Sequence, residues 1–167
     1  MKREFNPWSD RLSKWGVGEM VVLEGVLKWA MKILICKPQI HAFTSRSAVV
    51  PFMQEHFWSE KPDALAEDIG FFHQNLMMDV VVFATPPIHL IPKVIEYVYR
   101  YGGNVLLAHQ EWKTAVWYPK LLRMRQSTFR YPKSEKHPNL WMWIRNGKFF
   151  PLYVPGAHHI SWLIHQK

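Results

Sequence analysis

Between Trp112 and Lys136 the cations Lys113, Lys120, Arg123, Arg125, Arg130, Lys133 and Lys136 face one acid, Glu135. Trp112, Trp117, Tyr118, Phe129 and Tyr131 are interleaved with them. Basic groups neutralise phosphates, and aromatic and guanidinium planes stack on unpaired bases at roughly 1–3 kcal/mol per base. The stretch therefore points to contact with DNA or RNA through Trp112, Lys113, Trp117, Lys120, Arg123, Arg125, Arg130, Tyr131 and Lys133. The competing reading makes Trp117 and Tyr118 core residues of a helix and the charges its solvated face.

Charge distribution favours the first reading. Residues 1–79 hold nine Lys/Arg against ten Asp/Glu, whereas residues 80–167 hold twelve against three. A basic C-terminal half fits a polyanionic partner. His158, His159 and His165 raise the question of a metal, but no acid or cysteine lies near them in sequence, and adjacent histidines on a helix point to different faces. They read as surface histidines, with no metal site. Cys36 is the single cysteine and sits in the apolar run Ile33-Leu34-Ile35-Cys36, so no internal disulfide forms and a reducing, intracellular compartment (nuclear or cytoplasmic) is expected. The best apolar stretch, Val21 to Cys36, is broken by Glu24, Lys28 and Lys32 and does not span a membrane. Nine tryptophans in 167 residues imply a dense core, a contact surface with protein partners, or both.

The elements that must position these residues follow from periodicity. Apolar positions Val22, Leu23, Val26, Leu27, Ala30 and Leu34 predict an amphipathic helix from Glu19 to Leu34. Gln39 to Phe43 is a short apolar piece. Asp79 to Ala84 is a continuous β-branched run, as in a strand covered on both faces, and Pro86-Pro87 ends it. Ile91 to Tyr101 reads as a helix stopped by Gly102-Gly103, Asn104 to Ala108 as a second buried strand, and Lys113 to Met124 as another helix. Strand, helix, strand, helix with short links makes a βαβ unit, hence a parallel sheet with helices on its faces. Trp141–Arg145 and Lys148–Tyr153 flank Asn146-Gly147, a hairpin signal, so the parallel part is expected to end in an antiparallel hairpin.

This layout resembles the phage-type (Dam-like) DNA N6-adenine methyltransferase family over roughly residues 19–155. The matching stretches are Ile40 to Ser45, Pro62-Asp63-Ala64-Leu65, Ala84-Thr85-Pro86-Pro87-Ile88, Val105 to Trp112 and Ala115-Val116-Trp117-Tyr118. Upstream, Asn6-Pro7-Trp8-Ser9-Asp10-Arg11-Leu12-Ser13-Lys14 is similar to the closing motif of retroelement RNase H domains. That order of domains, with Pro86-Pro87-Ile88-His89-Leu90-Ile91-Pro92, resembles DIRS-type retroelement polyproteins. The resemblance implies an N-terminal extension over 1–18, a methyltransferase-like domain over 19–167 with a Rossmann-like α/β fold, and S-adenosylmethionine as cofactor of an active member.

Methyl transfer to adenine N6 requires an Asn or Asp oxygen and a proline carbonyl to accept from the amino group, and an aromatic ring to stack on the flipped base. In the family's motif Thr85 stands in the Asn/Asp place and Ile88 in the aromatic place, leaving Pro86 and Pro87 between them. His41 stands where the first-strand acid would hold the cofactor, and Asp63 remains as the other candidate cofactor contact. Asp10 alone cannot support metal-dependent nuclease chemistry, which needs several carboxylates. The expectation is a degenerate methyltransferase-like module that needs no cofactor and binds nucleic acid or serves as a structural part of a nucleoprotein assembly. An active DNA N6-adenine methyltransferase and a protein–protein interaction subunit are the alternatives.

Overall fold

The computed structural model describes residues 19–45, 49–53, 56–60, 68–133, 139–151 and 154–166. The RNase H-like extension over 1–18 and Asp63 lie outside the described residues, as do Glu135 and Lys136. A helix from Glu24 to Leu34 (α1) buries Leu27, Ala30 and Leu34, and ends where Ile35 turns into the left-handed region at φ 52°. The short strands Ile40–Ala42 (β2), Phe57–Ser59 (β3), Asp68–Ile69 (β4) and Val82–Ala84 (β5) follow. Ile91–Tyr101 (α2) has Pro92 in its first turn, where no intrahelical N–H is needed. It closes on Gly102 at φ 82°, whose N–H donates to the Val98 carbonyl at 2.8 Å. Gly103–Gln110 (β6), Tyr118–Met124 (α3), Arg125–Arg130 (β7) and His158–His165 (β10) complete the main unit.

The seven-stranded sheet runs β4-β3-β2-β5-β6-β10-β7. Neighbours from β4 to β6 are parallel, and β10 inserts antiparallel between β6 and β7, so β10 alone runs against the rest. Because side chains alternate across a strand, the sheet feeds two cores. Phe83, Leu106, Ala108, Phe129 and Ile160 pack with α1 on one face. Val82, Ala84, Val105, Leu107 and Leu163 pack with α2 and α3 on the other. The chain is an α/β protein with a mostly parallel sheet and helices on both faces. Among the described residues, no helix is long and apolar enough to cross a membrane.

Several expected boundaries shift. Glu19–Val22 is a strand (β1) and not the first turn of the helix, because it pairs antiparallel with Trp141–Arg145 (β8) from Glu19↔Ile144 to Val22↔Trp141. The hairpin at Asn146-Gly147 forms between β8 and Lys148–Pro151 (β9), but with β1 it makes a separate three-stranded sheet. The antiparallel member of the main sheet is β10. The buried run at Asp79 begins as strand only at Val82, after a turn in which the Val80 N–H reaches the Met77 carbonyl at 3.3 Å. The helix expected from Lys113 starts at Tyr118, where Pro119 occupies its first turn.

Candidate functional site

In open parallel sheets ligands bind at the carboxyl ends of the strands. Here β2 and β5 lie side by side, with Ala42 opposite Ala84. His41, in β2, is buried and stacks on Phe83 with ring centroids 4.9 Å apart. Its Nδ1 accepts the Val50 N–H at 3.3 Å, which leaves the proton of the neutral ring on Nε2. Nε2–H then donates to Thr85 Oγ1 at 3.0 Å, and the Thr85 hydroxyl donates to the Ala42 carbonyl at 3.4 Å. Burial holds the imidazole neutral, with its pKa down at about 3. His41 and Thr85, which the sequence resemblance would set in a cofactor place and a catalytic place, are therefore each other's partners. Every polar atom of the two side chains thus has a hydrogen-bond partner within the protein.

The neighbouring positions are packed as well. Pro86 is buried, Pro87 half-buried, and Ile88 packs against both cores. Phe43, the residue after β2, adopts φ 62° and places its buried ring against Phe71 and Phe72 at 5.3 and 5.7 Å. A glycine in such a turn would let a ligand approach the backbone; a phenylalanine fills the space. One acid was not legible as a site residue: Glu60, immediately after β3, where doubly wound folds place the carboxylate that binds a ribose. Its Oε1 instead accepts the Phe71 N–H at 2.7 Å. Gly70, at φ 63°, permits the approach, since a Cβ there would lie 2.9 Å from Glu60 Oε2.

A second cluster spans β6, β10 and β7. His109 Nδ1–H donates to the Gln110 carbonyl at 2.9 Å, so Nε2 accepts the Ser161 hydroxyl at 2.6 Å. Thr128 Oγ1 lies 3.0 Å from Ser161 Oγ and 2.9 Å from His159 Nδ1. His159 Nε2 faces Glu111 Oε1 at 3.6 Å. A Ser–His pair of this length could activate a nucleophile, but Ser161 and His109 are fully buried, out of reach of any substrate. Burial pushes His109 down to about 3 and lowers His159 as well. His158 points to the opposite face, where Nδ1 accepts the Leu140 N–H at 3.0 Å and Nε2–H donates to the Val154 carbonyl at 2.7 Å. The expected surface histidines are thus corrected at His158 and His159. They belong to a strand, whose alternation sends them to opposite cores. His165 is half-buried, stacked on Tyr99 at 5.1 Å. Among the described residues no group of three His, Cys, Asp or Glu could hold a metal ion. Cys36 is a buried thiol pushed up to about 11 by burial, a small hydrophobe and not a nucleophile.

The basic stretch is divided by the fold. Trp112 and Lys113 follow β6, Arg130 ends β7 and Lys133 lies just beyond it, so all four sit at the carboxyl end of the sheet, two strands apart. Trp112 is 52% exposed, and Lys113, Arg130 and Lys133 are exposed. The Lys133 Nζ donates to the Val154 carbonyl at 3.3 Å. Arg123 and Arg125 lie at the opposite end, where α3 runs down into β7. Arg123 is exposed and Arg125 half-buried. Lys120 is bound to Glu96 and lies over the Tyr99 ring at 4.9 Å. Trp117 and Tyr131 are buried, Trp117 edge-on to His109 at 6.3 Å, and offer no open face to a base.

Fold and site together define an α/β protein with a mostly parallel sheet flanked by helices, in which His41 and Thr85 are bonded to each other. Comparison with known proteins finds no matching family model, no matching curated protein and no matching solved structure.

Proposed function

We propose that this chain is a catalytically silent, methyltransferase-like module that binds nucleic acid at the carboxyl end of its sheet. The observation that carries the reading is the placement of Trp112, Lys113, Arg130 and Lys133 at one end of the sheet, the end at which His41 and Thr85 are bonded to each other. Cations there would neutralise phosphates, and the exposed Trp112 ring offers a stacking platform for an unpaired base. The methyltransferase likeness is supported by Pro86-Pro87 after a central buried strand and by a parallel sheet into which one antiparallel strand, β10, inserts between β6 and β7. Catalytic silence is supported by the His41–Thr85 hydrogen bond and by Ile88, which has no π face. In this reading the protein uses no S-adenosylmethionine and works within a larger nucleoprotein assembly.

The test is fluorescence anisotropy with a labelled single-stranded oligonucleotide, comparing the chain with Trp112→Ala and with Arg130→Glu/Lys133→Glu. The double charge reversal removes binding, and Trp112→Ala weakens it on the order of tenfold or more, as loss of one stacked base implies. Unchanged affinity in both variants refutes the proposal.

A further inference from the structure

Strand β7 is the last strand of the seven-stranded sheet, and among the described residues nothing pairs with its outer edge. Antiparallel ladders alternate, so the residues whose backbone faces outward can be identified. The Tyr131 N–H donates to the His158 carbonyl at 2.8 Å, which makes that pair inward-bonded. Arg130, opposite His159, and Thr128, opposite Ser161, therefore turn their N–H and C=O groups away from β10. An unpaired edge of this kind is a template for an added strand.

The two faces beside this edge differ in chemistry. On the α1 face Trp29 meets Phe129 edge-on at 5.3 Å yet is 46% exposed, and Ile33, one helical turn further on, is 58% exposed. On the other face lie Arg130, in register with His159, and Arg125, in register with Leu163. A strand laid along β7 would alternate its side chains between an apolar face and a cationic one. A second copy of the chain would bring the same cations, Arg125 and Arg130, to the cationic face, whereas an acidic segment brings carboxylates that complement it.

We infer that the β7 edge, with Trp29 on one side and Arg125 and Arg130 on the other, docks an extended segment of another protein in which acidic and apolar residues alternate. The added strand takes the free backbone groups of Thr128 and Arg130, puts its apolar side chains on Trp29 and Ile33, and its carboxylates toward the two arginines. Arg130 is common to this surface and to the nucleic-acid reading, whereas Trp29 belongs to this surface alone and Trp112 and Lys133 to the other.

The probe is an acetylated peptide of alternating glutamate and leucine, about ten residues long, a little beyond a typical strand. A peptide of equal composition with its glutamates and leucines in two blocks is the control. Amide hydrogen exchange on the unaltered chain should slow at Thr128 and Arg130 with the alternating peptide and not with the blocked one. Trp29→Ala and Arg130→Glu should each weaken the peptide on the order of tenfold, as for interface anchors. Trp112→Ala should leave peptide affinity unchanged, and Trp29→Ala should leave oligonucleotide affinity unchanged. Equal binding of the blocked peptide, or unslowed exchange at both amides, overturns the inference. So does protection of the same amides by self-association or by an oligonucleotide.

Discussion

Thr85→Val exchanges a hydroxyl for a methyl of similar shape at a position only 2% exposed. The variant loses the acceptor that faces His41 Nε2 at 3.0 Å, so a fully buried N–H is left without a partner. It also loses the donor that reaches the Ala42 carbonyl at 3.4 Å. The second bond is long and contributes little; the first sets the magnitude. Stranding a buried donor costs about 1–3 kcal/mol, well above the ~0.5 kcal/mol scatter of neutral surface changes. His41 cannot escape by changing tautomer, because its Nδ1 already accepts the Val50 N–H. Urea unfolding should show a lower midpoint at unchanged slope, since no more surface is exposed by the change. Thr85→Ser keeps the hydroxyl and should recover the larger part of the loss. Thr85→Val within about 0.5 kcal/mol of the parent would refute the buried His41–Thr85 hydrogen bond.

Acid should destabilise the fold through its buried histidines. His41 and His109 are held near 3 and His158 near 4 by burial, against 6.5 for an unperturbed imidazole. The unfolded chain then binds more protons than the folded one, so stability is full above about pH 6.5 and falls as pH drops toward the folded values. Each histidine adds a slope of up to about 1.4 kcal/mol per pH unit in that window, readable from urea midpoints across pH. A flat profile between those limits would contradict the neutral, buried assignment. Trp117→Ala should cost about 3–5 kcal/mol of stability as a core truncation, whereas Trp112→Ala should be near neutral in unfolding and act only on nucleic-acid affinity. The opposite ranking by thermal melting would mean that core and surface tryptophans have been exchanged.

What was legible in the sequence were features set by local chemistry. The bounds of α2 follow from Pro92 and from Gly102-Gly103, and the turn at Asn146-Gly147 needs only the positive φ of its two residues, 51° and 74°. The sheet to which that hairpin belongs is a long-range property, decided when β8 pairs with β1 and not with a main-sheet strand. Met20-Val21-Val22 satisfies both a helical and a strand period, and the tertiary pairing chose the strand. In β10 three histidines obscured an Ile160–Ile164 run of strand-forming residues that carried the signal. The substitutions at Thr85 and His41 were visible, but not that the two residues bond to each other across 44 positions. The basic stretch was readable as composition. Its division between the two ends of the sheet, and the burial of Trp117 and Tyr131, needed the register of β6, β10 and β7.

The most direct test of the account is the affinity of the unaltered chain for a single-stranded oligonucleotide over a series of salt concentrations, with and without S-adenosylmethionine. Engagement of Lys113, Arg130 and Lys133 predicts that log affinity falls linearly with log salt with a slope of about −2, from roughly −0.7 per neutralised phosphate. Added S-adenosylmethionine should leave the curve where it is. Absence of binding at low salt, a slope near zero, or a curve displaced by S-adenosylmethionine would each contradict the proposed function.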